Sequence, residues 1–163
     1  MRRPKLSRLA GLPDQRYSGD APLPYFFFGT LLDLELLARV AGSHVSEWQT
    51  RPAVIAGYRR TGVIGRGYPI LVRDPASRTD GIIVTELGPR AMRRLDRYEG
   101  PNYRLTPVTV VDRSCRPVDA VVFLVAGRLR SNRRHWRLDV WQRRWKRRAM
   151  RRAGRLKDPP LAT

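Results

Sequence analysis

Leu95-Asp96-Arg97-Tyr98-Glu99-Gly100-Pro101-Asn102-Tyr103 ends one helical pattern and opens a strand pattern. Upstream, Gly88-Pro89 sets a proline at the first helical position, and the helix runs to about Tyr98. Met92, Leu95 and Glu99 follow i, i+3, i+7 spacing and so share one helix face. Glu99 therefore falls at the end of the face that turns into the domain. A carboxylate directed inward is either paired or holds its proton more tightly than usual. The first case is an ion pair with Arg97 or Arg104. The second suits a general base working near neutral pH. The residues leave both open.

Downstream, Tyr103–Asp112 alternates as a strand, and Ala120–Ala126 is an apolar one. Upstream, the core opens with the aromatic run Tyr25-Phe26-Phe27-Phe28, a buried strand stopped by Gly29. Asp33 stands at an N-cap position, Leu34, Leu36, Leu37 and Val40 follow at helical spacing, and Gly42 ends that helix. Three short strands come next, at Ala53–Arg60, Tyr68–Arg73 and Gly81–Leu87, with a turn starting at Asp74-Pro75. The last element is a strongly basic helix from about His135 to Arg152. The order is strand, helix, three strands, helix, two strands, helix. It predicts an α+β fold: a small mixed barrel of about six strands with flanking helices.

The 163 residues fit one domain, and 42% are hydrophobic, enough for a core. The formal net charge is +19, but it is unevenly spread. Residues 1–16 carry +4, residues 17–127 carry +3 and residues 128–163 carry +12. The expected organisation is a flexible basic arm over 1–23, a folded domain over 24–127 and a basic C-terminal helix and tail over 128–163. Such a tail can meet nucleic acid or an anionic surface through residues 128–157. Its tryptophans allow two readings. Trp136, Trp141 and Trp145 among arginines can stack on bases. Equally, Leu138, Trp141, Trp145 and Ala149 form a helical stripe that docks on the barrel.

Several chemistries are excluded by counting. One cysteine, Cys115, permits no internal disulfide and fits a reducing compartment. Two histidines, His44 and His135, give no zinc-site spacing, and no phosphate-binding glycine motif follows a strand. The N-terminus lacks the apolar run of a secretory signal, its arginines leave an organellar transit peptide open as an alternative, and no stretch reaches the ~20 apolar residues of a membrane span. A cytoplasmic protein is expected. Phe28-Gly29-Thr30-Leu31 is a tight strand–helix turn. Such a turn leaves backbone N–H groups without partners and so can hold an anion.

Three pieces occur in order: Phe28-Gly29-Thr30-Leu31, Gly67-Tyr68-Pro69, and Leu95 to Tyr103. Together they resemble the gamma-glutamylcyclotransferase-like family, which includes avirulence-induced plant proteins and bacterial members. The resemblance covers about residues 25–126. It implies a small barrel of mixed strands and an enzyme that cyclises a gamma-glutamyl amide to 5-oxoproline, releasing an amine or amino acid. It implies Glu99 as the general base for the substrate's alpha-amino group. It also implies substrate contacts from Phe28, Gly29, Thr30, Leu31, Tyr68 and Tyr103, and no metal or organic cofactor. The strands at Tyr25–Phe28 and Tyr103–Asp112 both feed this site and are expected to lie close together. Two departures stand out. Phe28 replaces a tyrosine common in the family, and Leu105 stands where an arginine is frequent, Arg104 lying one place earlier. The chain also lacks the Tyr-Gly-Ser-Leu and following tryptophan of the glutathione-specific branch. The alternative is a non-catalytic ligand- or partner-binding module of the same fold.

Overall fold

The computed structural model describes residues 22–157, so most of the expected N-terminal arm, 1–23, and the end of the tail lie outside the described residues. Six strands form the sheet: β1 (Tyr25–Phe27), β2 (Gln49–Val63), β3 (Pro69–Thr85), β4 (Tyr103–Asp112), β5 (Pro117–Val125) and β6 (Ser131–His135). Four α-helices flank it: α1 (Leu34–Ala41), α2 (Pro89–Glu99), α3 (Leu138–Arg144) and α4 (Lys146–Ala153). The strand order is β3-β1-β5-β4-β2-β6, and a further β2–β3 pairing closes the first five strands into a barrel. β1 runs parallel to β5 and antiparallel to β3. The sheet is thus mixed, and the fold is the α+β barrel expected. β5 lies between β1 and β4, so the two strands expected to be close are second neighbours.

The aromatic run shows why the barrel and helices stay together. Side chains of a strand alternate between its faces. Phe26 and Phe28 enter a cluster with Ala53, Ile55, Leu71, Ile83, Val110, Ala120 and Val122, drawn from the ring strands alone. Tyr25 and Phe27 enter a second cluster with Leu36, Leu37 and Val40 of α1, Leu95 of α2 and Trp141 of α3. β5 repeats the division, with Ala120 and Val122 inside and Val121 and Phe123 under the helices. Both faces of these strands are dry, which accounts for their unbroken apolar sequence. Close packing also explains Gly81: a Cβ there would overlap the carbonyl oxygen of Phe27.

Three expected elements differ. The strands expected at Tyr68–Arg73 and Gly81–Leu87 are one strand, β3. Its pairing with β2 shifts between Ala56↔Arg78 and Tyr58↔Arg73, so residues 74–77 bulge opposite Gly57. The Asp74-Pro75 turn signal is therefore real but is absorbed as a bulge. Asp74 Oδ1 accepts from the N–H of Ala76 and Oδ2 from the Ser77 hydroxyl. The expected C-terminal helix starts later, because His135 ends β6, and it breaks at Trp145 into α3 and α4. Of the expected docking stripe, Trp141 is buried and Leu138 and Ala149 pack against the same cluster, whereas Trp145, at the break between the two helices, stays exposed; Trp136, outside the stripe, is buried as well.

Polar clasps tie the helices to one another. Asp33 caps α1 by accepting from the Leu36 N–H at 3.0 Å. Its other oxygen accepts from Gln142 Nε2 at 2.8 Å and pairs with Lys146 Nζ at 2.9 Å. Burial opposes ionisation of Asp33, but these bonds outweigh it and hold its carboxyl below the usual range. At the other end of α1, the buried Arg94 of α2 donates from Nε to the Val40 carbonyl at 2.7 Å. A cation there also complements the helix's negative end.

Asp33→Ala removes the cap and the anchor of α3 and α4 together. We expect a loss of about 1–3 kcal/mol in urea unfolding at neutral pH. Because the folded-state pKa is lowered, the lost stability is present above the ordinary carboxylate pKa and disappears as pH falls through the folded value. The gap between variant and wild type should therefore narrow in acid.

Candidate functional site

A cavity of 540 Å³ opens where the barrel meets the helices. Three segments build one side of it: the turn Phe28–Leu31 after β1, the loop Gly65–Pro69 before β3, and the α2–β4 corner Tyr98–Tyr103. The C-terminal helices supply the other side through Trp141, Trp145, Arg148, Ala149 and Arg152. All seven residues assigned from the sequence, Phe28, Gly29, Thr30, Leu31, Tyr68, Glu99 and Tyr103, line this one cavity.

The turn after β1 is short because Gly29 must be glycine. A Cβ on it would stand 2.9 Å from Pro69 Cγ. The Leu32 N–H donates to the Gly29 carbonyl at 3.0 Å, winding Thr30–Leu32 into a single 3-10 turn. The N–H groups of Gly29, Thr30 and Leu31 open this turn and have no backbone acceptor among the described residues. Arg60 of β2 steadies the turn from below by donating from Nη1 to the Phe28 carbonyl at 2.9 Å. Its guanidinium also lies over the Trp136 ring at 5.7 Å, and Trp136 Nε1 donates to the Gly67 carbonyl at 2.8 Å. Through Trp136, one arginine thus links the two neighbouring loops on this side of the cavity.

Glu99 is the last residue of α2, and Gly100, with φ of 76°, turns the chain sharply into β4. Burial pushes the Glu99 carboxyl up to about 7; Arg152 opposes the shift and Asp96 adds to it. Neither arginine considered from the sequence closes on it. Arg97 donates to the Lys157 carbonyl, and Arg104 is exposed. Among the described residues Glu99 takes part in no ion pair. Tyr98, its neighbour, lines the same cavity as Thr30, so the residue beside the glutamate borders the turn. Burial and the nearby Glu99 charge raise the Tyr98 phenol to about 12. Burial first, then Glu99 and Tyr68, raise that of Tyr103 as well, so both phenols stay protonated and can donate. Tyr103 meets Tyr68 edge to face at 6.3 Å between ring centres.

Sequence reasoning missed the contribution of the basic helices. Arg152 lies over the Tyr98 ring at 5.2 Å and donates to the Tyr98 carbonyl at 3.1 Å. Trp145 covers Gly67 so closely that a Cβ there would approach its ring at 2.6 Å. The amphipathic stripe foretold docking, but nothing local showed that the docked face would wall a cavity.

A five-stranded mixed barrel with a strand-to-turn glycine and an inward glutamate on one cavity defines the class. The family model described as gamma-glutamyl cyclotransferase, AIG2-like, matches residues 25–147, and the chain belongs to that family. Solved structures agree in fold. The Arabidopsis thaliana protein At5g39720.1 superposes with a TM-score of 0.61 at 18% identity, over 83% of this chain and 91% of that one. A second Arabidopsis thaliana protein, At3g28950.1, gives 0.59 at 21% identity, over 83% of each chain. A structure titled gamma-glutamyl cyclotransferase gives 0.58 at 11% identity, over 86% of this chain and 91% of that one. No curated protein matches the chain in sequence.

The raised Glu99 pKa has a sign that stability can report. The folded state favours the protonated carboxyl, so it binds this proton more tightly than the unfolded chain between pH 4.5 and about 7. Stability from this group therefore falls as pH rises through that window. Glu99→Gln does not titrate. Its melting temperature should match wild type at about pH 4 and exceed it at about pH 8, as followed by circular dichroism.

Proposed function

We propose that the protein cyclises a gamma-glutamyl amide to 5-oxoproline and releases the amine, with Glu99 as general base. One observation carries this reading. A carboxyl that titrates near neutral pH shares a cavity with a turn whose leading N–H groups lack backbone acceptors.

The substrate's alpha-amino group is an ammonium at neutral pH and has no lone pair to attack. Glu99, as carboxylate, takes one proton from it. The freed nitrogen attacks the gamma-carbonyl carbon; a C–N bond forms and the carbonyl electrons move onto oxygen. The N–H groups of Gly29, Thr30 and Leu31 stabilise an anionic oxygen of the substrate, either the developing oxyanion or the glutamyl carboxylate. Collapse of the intermediate breaks the original amide C–N bond. The proton held by Glu99 passes to the departing nitrogen; the ring nitrogen then gives up its second proton by way of the same carboxylate, so the amine leaves as an ammonium, the lactam keeps one N–H and the base is regenerated. Atoms balance without a co-reactant. Because nucleophile and electrophile belong to one molecule, holding the chain bent supplies much of the acceleration. Tyr68 and Tyr103 would shape that bend. The Tyr103 hydroxyl donates to the Pro69 carbonyl at 3.5 Å, a long bond that a substrate acceptor can replace.

A pKa near neutrality suits this task. A carboxylate with an ordinary pKa would be a weaker base, whereas one at about 7 accepts and returns a proton in the same cycle.

Glu99→Gln keeps size and hydrogen bonding but cannot take the proton. We expect it to fold, to bind gamma-glutamyl compounds and to lose roughly 10²–10⁴-fold in kcat for 5-oxoproline release, measured by chromatography. Full turnover by the variant would remove Glu99 from the mechanism. Binding without turnover by wild type, across gamma-glutamyl amines and dipeptides, would make the protein a ligand-binding module instead.

A further inference from the structure

The cavity wall is electrically lopsided. Arg66, Arg148 and Arg152 line it against one carboxyl group, Glu99, which is only partly ionised at neutral pH. Arg152 is engaged by the ring and carbonyl of Tyr98. Arg66 and Arg148 are not: among the described residues, neither guanidinium has a hydrogen bond or ion pair. Most other arginines of these helices differ in this respect or in position. Arg137 and Arg143 share Asp139, and Arg147 lies off the cavity.

The two cations line the cavity from different elements, Arg66 from the loop before β3 and Arg148 from α4. Arg66 precedes Gly67, and Gly67 lies beneath the Trp145 ring. Arg148 follows Trp145 by three residues on α4, on the same side of the helix. Trp145 is 38% exposed, so this part of the cavity is its mouth. The proposed chemistry occurs deeper, beside Glu99. A group attached to the gamma-carbonyl has a way outward past Trp145, with Arg66 and Arg148 on the cavity lining there.

We infer that Arg66 and Arg148, flanking Trp145, form a subsite that selects a leaving amine bearing two negative charges, such as an acidic amino acid or a phosphorylated amine. This rests on the cyclisation reading and deepens it. The apolar stem of the amine lies on Trp145, and each charge meets one guanidinium. A dicarboxylate and a phosphomonoester offer the same charge in different geometry, and arginine forks accept both.

The test is a charge series built on one scaffold: gamma-glutamyl-alaninamide, gamma-glutamyl-alanine, gamma-glutamyl-aspartate and gamma-glutamyl-phosphoethanolamine. In wild type, kcat/KM should rise roughly threefold per added negative charge, and the rise should flatten in about 0.5 M salt. The ratio of the better dianionic substrate to the neutral amide should fall towards one in Arg66→Ala with Arg148→Ala. It should be partly kept when both are lysine, and unchanged in Arg147→Ala, which removes a charge away from the cavity. Which dianion is preferred decides between carboxylate and phosphate. A flat series in wild type, or a ratio that survives the double substitution, overturns the subsite while leaving cyclisation intact. If no member of the series is turned over, cyclisation fails. Calorimetric affinities of the same four compounds for Glu99→Gln then judge the subsite alone, with equal affinities overturning it.

Discussion

The burial of both faces of β1 is the constraint on which the rest of the structure depends. Three residues of strand carry an aromatic side chain to each core, Phe26 inward and Tyr25 and Phe27 outward. A strand dry on both sides needs a closed barrel behind it and helices before it. The chain leaving such a strand can emerge only at the seam between the two layers. Gly29 is placed there, and so is the cavity. The close approach of Pro69 and the Arg60 bond to the Phe28 carbonyl fix the turn at that seam.

The helices then do two jobs with one set of residues. α2 buries Ala91, Leu95 and Tyr98 and ends in Glu99, so the amphipathic face that docks the helix also delivers the carboxyl. α3 buries Trp141 on the core, and Trp141 lines the cavity as well. Desolvation by this packing is the main cause of the shifted Glu99 titration. The packing that stabilises the fold is thus also what tunes the group, and the cost of an inward carboxylate is carried by the surrounding apolar contacts.

The concentration of positive charge takes on a local meaning in this arrangement. Much of the C-terminal charge is solvated, and some is paired, at the surface with Asp139 and, through Lys146, with the exposed Glu35 and the buried Asp33. Trp136 and Trp141 are spent on the core, so their aromatic faces are not displayed outward. Trp145 alone of the three stands at the surface, and it does so at the cavity mouth.

The sequence by itself determined the class of fold and the order of its parts. The aromatic run, the Asp33 cap, the Pro89 start and the alternation of Tyr103–Asp112 are local signals of local conformation, and each survives in the structure. It also determined which residues to watch, since the helical spacing of Met92, Leu95 and Glu99 follows from backbone geometry alone. Local signals failed where pairing overrode them. Asp74-Pro75 reads as a turn, yet the partner strand β2 is long enough to continue past it, and the turn becomes a bulge within β3. His135 reads as helix, yet β2 offers Thr61 as its pairing partner. Only the tertiary structure decided that neither Arg97 nor Arg104 closes on Glu99, Arg97 being drawn to the Lys157 carbonyl sixty residues away. Only it decided that the basic helices wall the cavity. Both outcomes depend on contacts between residues remote in sequence, whose geometry is set by closure of the barrel and not by any neighbouring residue.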